Sequence, residues 1–156
     1  MLFVTGSLGG SGAALDALLR GERPSDAHRA RFASPRPRLA EARWLAERGA
    51  RAAIDISDGL VADAGHLASA SGVRVELELD RLPRASGVTA EAAAASGEEY
   101  ELLVAFAPAS LPDADRFCEA FDVSLTPIGA VTHGTGVALI GPGGRVDPPR
   151  GHDHLS

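Results

Sequence analysis

The sequence predicts an α/β fold in the broad sense (α+β), a mixed β-sheet covered by helices. Strand-like apolar runs alternate with helix-like periodicity along most of the 156-residue chain, which is typical of this class. Residues 73–80 alternate apolar and charged side chains, which indicates a strand with one buried and one solvated face. Hairpin-like turns, such as residues 141–144, gather towards the C-terminus. We therefore expect a mixed sheet with helices on one face, rather than a doubly wound parallel sheet.

Apolar spacing and glycine breaks place the individual elements. Apolar residues recur at helical spacing from Leu60, and Gly72 stands where that helix should end. The same reasoning predicts further helices over residues 13–19, 39–48, 91–95 and 113–121. It predicts strands over residues 1–4, 73–80, 123–131 and 136–140, and two more that end near residues 54 and 106.

Two segments carry structural predictions of their own. The stretch from Arg20 to Arg43 is rich in arginine and contains prolines, so we expect a solvated linker. The alternative is that some of its guanidinium groups face an anionic ligand. The single cysteine, Cys118, falls within the amphipathic helix predicted over 113–121. We expect a buried structural thiol there, and not a nucleophile.

Composition excludes several functional classes. The net charge of −6 argues against a nucleic-acid partner, which would need a basic surface. The chain contains no lysine, so neither a Walker-type phosphate loop nor Schiff-base chemistry is available to it. No apolar stretch approaches the roughly 20 residues of a membrane span, and the N-terminus has no signal-peptide pattern. We therefore expect a cytoplasmic protein with no membrane partner.

The most informative segment is residues 55–60, where a buried strand turns into a helix. It brings Asp55, Ser57 and Asp58 within four positions of one another. The unpaired N–H groups of a helix N-terminus attract phosphate, and carboxylates suit Mg²⁺. The segment is therefore a candidate site for Mg²⁺ and phosphate. The alternative is that Ser57 only caps the helix and Asp58 only complements its dipole.

Three weaker segments also hold candidate chemistry. The glycine-rich turn at 5–12 has the composition of a phosphate cradle, or its glycines only permit a tight connection. Residues 98–101 place three carboxylates before a strand, which is costly unless they are solvated or bound, the alternative being a charged edge. His152 and His154 fall short of a usual zinc set, so we expect no metal there.

Taken together, these segments occur in an order typical of one family. They are, along the chain, residues 4–9, the arginine segment with Pro35 and Pro37, and residues 53–60, 96–102, 128–129 and 151–154. The chain resembles the thiamine-monophosphate kinases, of the superfamily that includes aminoimidazole ribonucleotide synthetase and selenophosphate synthetase. The resemblance covers essentially the whole chain. Its specificity comes from the combination of 53–60 with 96–102.

The resemblance implies a phosphotransferase. Kinases of this family transfer the γ-phosphoryl group of ATP to thiamine monophosphate, with Mg²⁺ ions in a cleft between two domains, and such a transfer depends mainly on positioning and charge neutralisation. By resemblance, Asp55 and Asp58 are Mg²⁺ ligands and Ser57 contacts the nucleotide phosphates. Glu98 stands where the family binds the thiamine moiety, and His152 where it usually has an aromatic residue against the substrate. The resemblance assigns no catalytic residue here.

Three departures from the family pattern limit this transfer of roles. Glu99 replaces an Asp, and Gly10 stands where a further Asp is common. The third is that the family's N-terminal domain, which binds ATP and Mg²⁺, has no counterpart here, so residues 1–156 correspond to the C-terminal domain. We expect this domain to be inactive alone and to need a separate N-terminal half, whereas the full-length family is expected to form homodimers.

Two other functions remain open at this point. The chain would be a non-catalytic remnant that serves as a binding or dimerising module, or a sister ATP-dependent enzyme of the same superfamily. The string Glu98 to Leu102 argues against the sister enzyme, because it is typical of the thiamine kinases.

Overall fold

The structure is a computed structural model that describes residues 1–146, in which one mixed sheet is flanked by helices. The strands are β1 Leu2–Thr5, β2 Ala50–Asp55, β3 Arg74–Glu78, β4 Leu102–Phe106, β5 Leu125–Thr132, β6 Gly136–Gly141 and β7 Gly144–Val146. The helices are α1 Gly10–Leu19, α2 Asp26–Ala33, α3 Leu39–Glu47, α4 Leu60–Ser71, α5 Ala90–Ala95 and α6 Ala114–Phe121. Short 3₁₀ turns cover Leu79–Arg81 and Pro108–Ser110.

The order of strands across the sheet is β2-β4-β1-β5-β3-β6-β7. Within residues 1–146, β3 and β6 run parallel, whereas every other neighbouring pair is antiparallel. This arrangement confirms the predicted mixed sheet. The short strand β7 was not predicted, because its three residues are all exposed and leave no apolar pattern.

The sheet is covered on both faces, so the expectation of helices on one face is wrong. Leu103 packs into one apolar cluster with residues of α4 and α5, and Val104 packs into a second cluster with residues of α3 and α6. All five residues of β4 are buried. A strand buried on both faces has a continuous apolar run in place of an alternating one, and β4 has such a run.

The local predictions for α4 and β3 are confirmed. Gly72 adopts a left-handed conformation, with φ of 63°, directly after α4, as a helix C-terminus commonly requires. In β3, Val75 and Leu77 are buried, while the charged residues that alternate with them are partly exposed. The clean alternation of this strand predicted that pattern.

Two further structural predictions are wrong. The arginine-rich segment is not a plain linker, since residues 26–33 form α2 and two of its arginines reach buried carboxylates described below. Cys118 is exposed on α6, because that helix buries Phe117, and the next residue lies about 100° further round the helix, facing solvent. Among the helices of residues 1–146, none has the length and apolar character needed to cross a membrane.

Candidate functional site

Two of the predicted site segments are joined backbone to backbone beyond the ends of β2 and β4. Asp55, the last residue of β2, pairs with Leu102 at the start of β4. Past this pair, the Glu98 N–H donates to the carbonyl of Ser57 at 2.7 Å, and the Tyr100 N–H donates to the carbonyl of Ile56 at 2.9 Å. The two segments therefore form one continuous edge that carries Asp55, Ser57 and Glu98.

The glycine-rich turn closes onto the same edge and holds the loop 96–99. The N–H groups of Gly9 and Ser11 donate to Glu99 Oε1 at 2.9 and 3.2 Å, and the hydroxyl of Ser96 donates to the same oxygen at 2.6 Å. These amides are therefore occupied by a protein carboxylate. Through these two amides the glycine-rich turn fixes the loop 96–99, and the amides are not available to bind phosphate.

The entrance to α4 is organised by Asp63, a residue that sequence reasoning missed. Its Oδ2 atom accepts the backbone N–H groups of Ser57, Asp58 and Gly59 at 3.0, 3.1 and 3.2 Å. Burial is the largest influence on the Asp63 carboxyl and raises its pKa, although these hydrogen bonds oppose the shift.

The prediction that Ser57 caps α4 is wrong. Ser57 does not cap α4, because Gly59 is the N-cap residue and has no side chain to offer. The N–H groups of residues 57–59 point to Asp63, whereas the first turn of α4 begins one residue later, at Leu60. The segment 57–59 therefore offers a ligand its side chains, with Asp58 exposed and Ser57 partly exposed. The available signal was the position of Asp63 on the apolar face of α4, three residues after Leu60 and four before Leu67.

The carboxylates around this entrance are arranged so that some could hold a cation. Ligand atoms of Asp58, Asp63 and His66 lie within 4.8 Å of one another, the first and last residues being exposed. Asp55 is also exposed, at the end of β2. Exposed carboxylate oxygens are the ligands that Mg²⁺ takes alongside waters and phosphates. The predicted ligands Asp55 and Asp58 therefore fit such a cation, because neither is buried against a competing partner.

Glu98 is displayed outward by an unusual backbone. Both Glu98 and Tyr100 have positive φ angles, 55° and 53°, which non-glycine residues rarely adopt. Glu98 is exposed, whereas Glu99 and Glu101 on either side of Tyr100 are buried. The positive φ angles occur together with this alternation of exposed and buried carboxylates. Strain of this kind persists only where the surroundings over-determine it, and it is common at ligand sites.

The buried carboxylates are held by two arginines from the segment predicted to be a linker. Arg38 donates from Nε and Nη2 to the two oxygens of Glu101, at 2.9 and 2.7 Å, and Arg31 donates to the same carboxylate at 2.7 Å. Arg31 also contacts Glu99 at 3.2 Å. The hydrogen bond to Glu101 raises the pKa of Arg38, so this guanidinium stays charged. These two guanidinium groups are therefore paired with carboxylates of the protein itself, whereas the sequence had suggested a solvated linker or contact with an anionic ligand.

A cleft of about 610 Å³ opens beside Asp58, between α1, α4 and α5. Its walls combine small or apolar residues with a few polar ones, and they include Leu15, Val61, Val88, Thr89 and Gly97. The cleft thus reaches from the α4 entrance to the residue next to Glu98. The remaining predicted contact, His152, lies outside the described residues, as does the whole segment 151–154.

Comparison with known proteins agrees with this arrangement. Residues 1–141 match the family model described as AIR synthase related protein, C-terminal domain. A thiamine-monophosphate kinase from Methanopyrus kandleri is 38% identical over 152 residues, which cover 88% of this chain and 45% of that relative. The resemblance inferred from the motifs is thereby confirmed.

Solved structures show the same likeness. The thiamine-monophosphate kinase from Stenotrophomonas maltophilia K279a superposes with a TM-score of 0.83 at 30% identity, over 88% of this chain and 49% of that one. A structure described as AaThiL complexed with AMPPCP and TMP gives a TM-score of 0.79 at 33% identity, over 99% of this chain and 50% of that one. The chain thus spans about half the length of the curated relatives and structures that it matches.

Proposed function

The chain belongs to the family of AIR synthase related protein C-terminal domains. On this premise we propose that it carries the C-terminal half of a thiamine-monophosphate kinase site. The proposed reaction is transfer of the terminal phosphoryl group of ATP to the phosphate of thiamine monophosphate, which yields thiamine diphosphate. One observation carries the proposal. The loop with Asp55, Ser57 and Asp58 is hydrogen-bonded directly to the loop that displays Glu98.

In this proposal each predicted site residue has a separate role. Asp55 and Asp58 bind Mg²⁺, which neutralises charge on the phosphates and orients them for in-line transfer. The Ser57 hydroxyl donates to a phosphate oxygen. Glu98 pairs with the cationic or amino-bearing rings of thiamine, and His152 stacks against them. Side chains supply these contacts, because the backbone amides of 57–59 are already bonded to Asp63.

The proposed site is incomplete within residues 1–146. Mg²⁺ in phosphoryl-transfer sites is usually bound by one or two carboxylates together with substrate phosphates, so Asp55 and Asp58 account for about one ion. Two substrates with four phosphate groups between them need more positive charge than one ion supplies. We propose that further ligands come from a region equivalent to the half of the relatives that this chain does not match. We also propose a cytoplasmic location and a homodimer for the complete enzyme.

The test is a comparison of two ligands by isothermal titration calorimetry. We expect weak, Mg²⁺-dependent binding of ATP and separate binding of thiamine monophosphate. Glu98→Ala should weaken thiamine monophosphate binding about tenfold or more, which corresponds to about 1.4 kcal/mol, while ATP binding stays nearly unchanged. Asp55→Asn should weaken ATP binding about tenfold or more, while thiamine monophosphate binding stays nearly unchanged. Glu119→Ala, an exposed carboxylate on α6, is the matched control and should change neither.

Distinct results would contradict the proposal. If Glu98→Ala impaired only nucleotide binding, the substrate would not be thiamine monophosphate. If the chain alone phosphorylated thiamine monophosphate at an ordinary kinase rate, the incomplete-site argument would be wrong. Self-association that is insensitive to substitution of Asp55 and Asp58, without binding of either ligand, would favour a dimerising module instead.

A further inference from the structure

Asp63 lies one turn inside α4 and is 2% exposed, although it is a carboxylate. Its Oδ2 atom accepts three consecutive N–H groups, from Ser57, Asp58 and Gly59, at 3.0 to 3.2 Å. The loop that carries two of the proposed ligand residues is therefore tied to a single buried oxygen.

The same loop is held from its other side by a close backbone approach. Gly59 has φ of 117° and ψ of 148°, a region that is essentially restricted to glycine. A Cβ atom at Gly59 would lie 2.9 Å from the carbonyl oxygen of Ala95, so the loop has little freedom to move towards α5. The carbonyl of Ser57 is also occupied, by the N–H of Glu98. The loop is thus restrained on three sides.

We propose that Asp63 is the positioning residue of the site, which presets the side chains of Ser57 and Asp58 and withholds the loop amides from phosphate. This inference rests on the proposed function, because it assigns how that site takes its nucleotide. Phosphate oxygens then contact residues 57–59 through the Ser57 hydroxyl and through Mg²⁺ held by the aspartates, and not through the three amides bonded to Asp63. The consequence is that binding of a nucleoside triphosphate at this loop requires the metal, unlike binding to a loop with free amides.

A role for Asp63 as a metal ligand is the main competing explanation. Its ligand atoms lie near those of Asp58 and His66. However, Oδ2 already accepts three hydrogen bonds, and the side chain is buried, whereas Asp58 and His66 are exposed. If Asp63 positions the loop, its acceptor oxygen must stay in place. If Asp63 binds a metal ion, its negative charge must be kept. Two substitutions separate these requirements.

The experiment compares Asp63→Asn, which keeps an acceptor oxygen in place without the charge, with Asp63→Glu, which keeps the charge but displaces the oxygen. The first measurement is NMR amide exchange of residues 57–59 in the chain without ligands. The second is calorimetric titration with a non-hydrolysable ATP analogue, with Mg²⁺ and with EDTA. Asp113→Ala is the matched control, because Asp113 accepts the Arg116 N–H at the start of α6, away from the site.

We expect Asp63→Glu to speed exchange of the three amides about tenfold or more and to weaken Mg²⁺-dependent binding of the analogue by a similar factor. Asp63→Asn should stay within about threefold of the unsubstituted chain in both measurements. Asp113→Ala should affect exchange near Arg116 only. Binding of the analogue in EDTA should be at least tenfold weaker than with Mg²⁺ in the unsubstituted chain.

Two results would overturn the inference. If Asp63→Asn abolished binding while the three amides stayed protected and Asp63→Glu bound normally, Asp63 would be a metal ligand. If neither variant changed amide exchange, Asp63 would not position the loop. Failure of the proposed function looks different, since the unsubstituted chain would then bind no nucleotide while the exchange differences between the variants persisted.

Discussion

Two acidic segments meet in the candidate site and use their carboxylates in opposite ways. In residues 55–58 the carboxylates of Asp55 and Asp58 are exposed. In residues 98–101 the carboxylates of Glu99 and Glu101 are buried, with their charges met by arginines and by hydroxyl or amide donors. The difference teaches that charge alone does not mark a ligand. Burial and the presence of an internal partner separate a carboxylate that builds the site from one that is available to a ligand.

Glu98 is the exception that connects the two segments. It belongs to the second segment in sequence but resembles the first in exposure. Its positive φ is followed by another at Tyr100, and Glu99 and Glu101 on the two sides of Tyr100 are buried. The contacts of the buried Glu99 and Glu101 thus stabilise the unfavourable positive φ angles of Glu98 and Tyr100. As a result, the Glu98 side chain is exposed at the site.

The largest expected effect tests whether the second segment is structural. Arg38→Met should lower the free energy of unfolding by about 3–5 kcal/mol, because it leaves the buried Glu101 without its bidentate partner. Urea denaturation measures this change. Arg20→Met removes an exposed pair with Glu22 and should cost less than about 1 kcal/mol. Equal losses for the two variants would contradict the distinction between buried and exposed charge.

A smaller effect is expected where the two segments touch. A Cβ atom at Gly97 would lie 2.8 Å from the Ser57 carbonyl oxygen, so Gly97→Ala should cost about 1–3 kcal/mol and push the segments apart. Thermal unfolding measures the cost, and binding of Mg²⁺ with an ATP analogue should weaken in parallel. Gly143→Ala is a matched control, because its added methyl group meets open space. A well-folded Gly97→Ala variant with unchanged binding would show that the contact is dispensable.

The smallest effect on stability is expected in the first segment. Asp55→Asn and Asp58→Asn remove exposed charges, so each should change the free energy of unfolding by no more than about 0.5 kcal/mol. Their effect on Mg²⁺ binding should be a loss of about tenfold or more. Chemical denaturation and metal titration on the same samples separate the two quantities. A large loss of stability in either variant would place that aspartate among the structural carboxylates.

Much of the fold could be predicted, because local pattern is set by local burial. The spacing of apolar residues from Leu60 and the stop at Gly72 located α4, and the alternation over 73–80 located β3. Helices on both faces were missed, although the unbroken apolar run of β4 was the sign of two-sided burial. Cys118 was misplaced by a fraction of a helical turn, which is enough to move a side chain from core to solvent.

The sequence identified the two acidic segments of the candidate site, but it did not show which of their carboxylates are buried. Residues 55–58 and 98–101 were both identified, and they do meet. The role of Asp63 was missed because spacing places it on the face of Leu60 and Leu67 but does not show which amides it reaches. Arg31 and Arg38 were missed as partners of Glu101 because 70 and 63 positions separate them from it. Local periodicity carries no information about contacts at that separation.

The sequence by itself determined most of the elements, though not α2 or β7, together with the absence of lysine chemistry and the acidic residues of the candidate site. These follow from composition and from periodicities of 2 and 3.6 residues, which each segment carries alone. Only the tertiary structure decided which carboxylates are occupied by arginine, which amides are occupied by Asp63 and Glu99, and which side chains remain for a ligand. The physical reason is that a charge is neutralised by whatever lies within a few ångströms of it, and chain folding alone determines those neighbours.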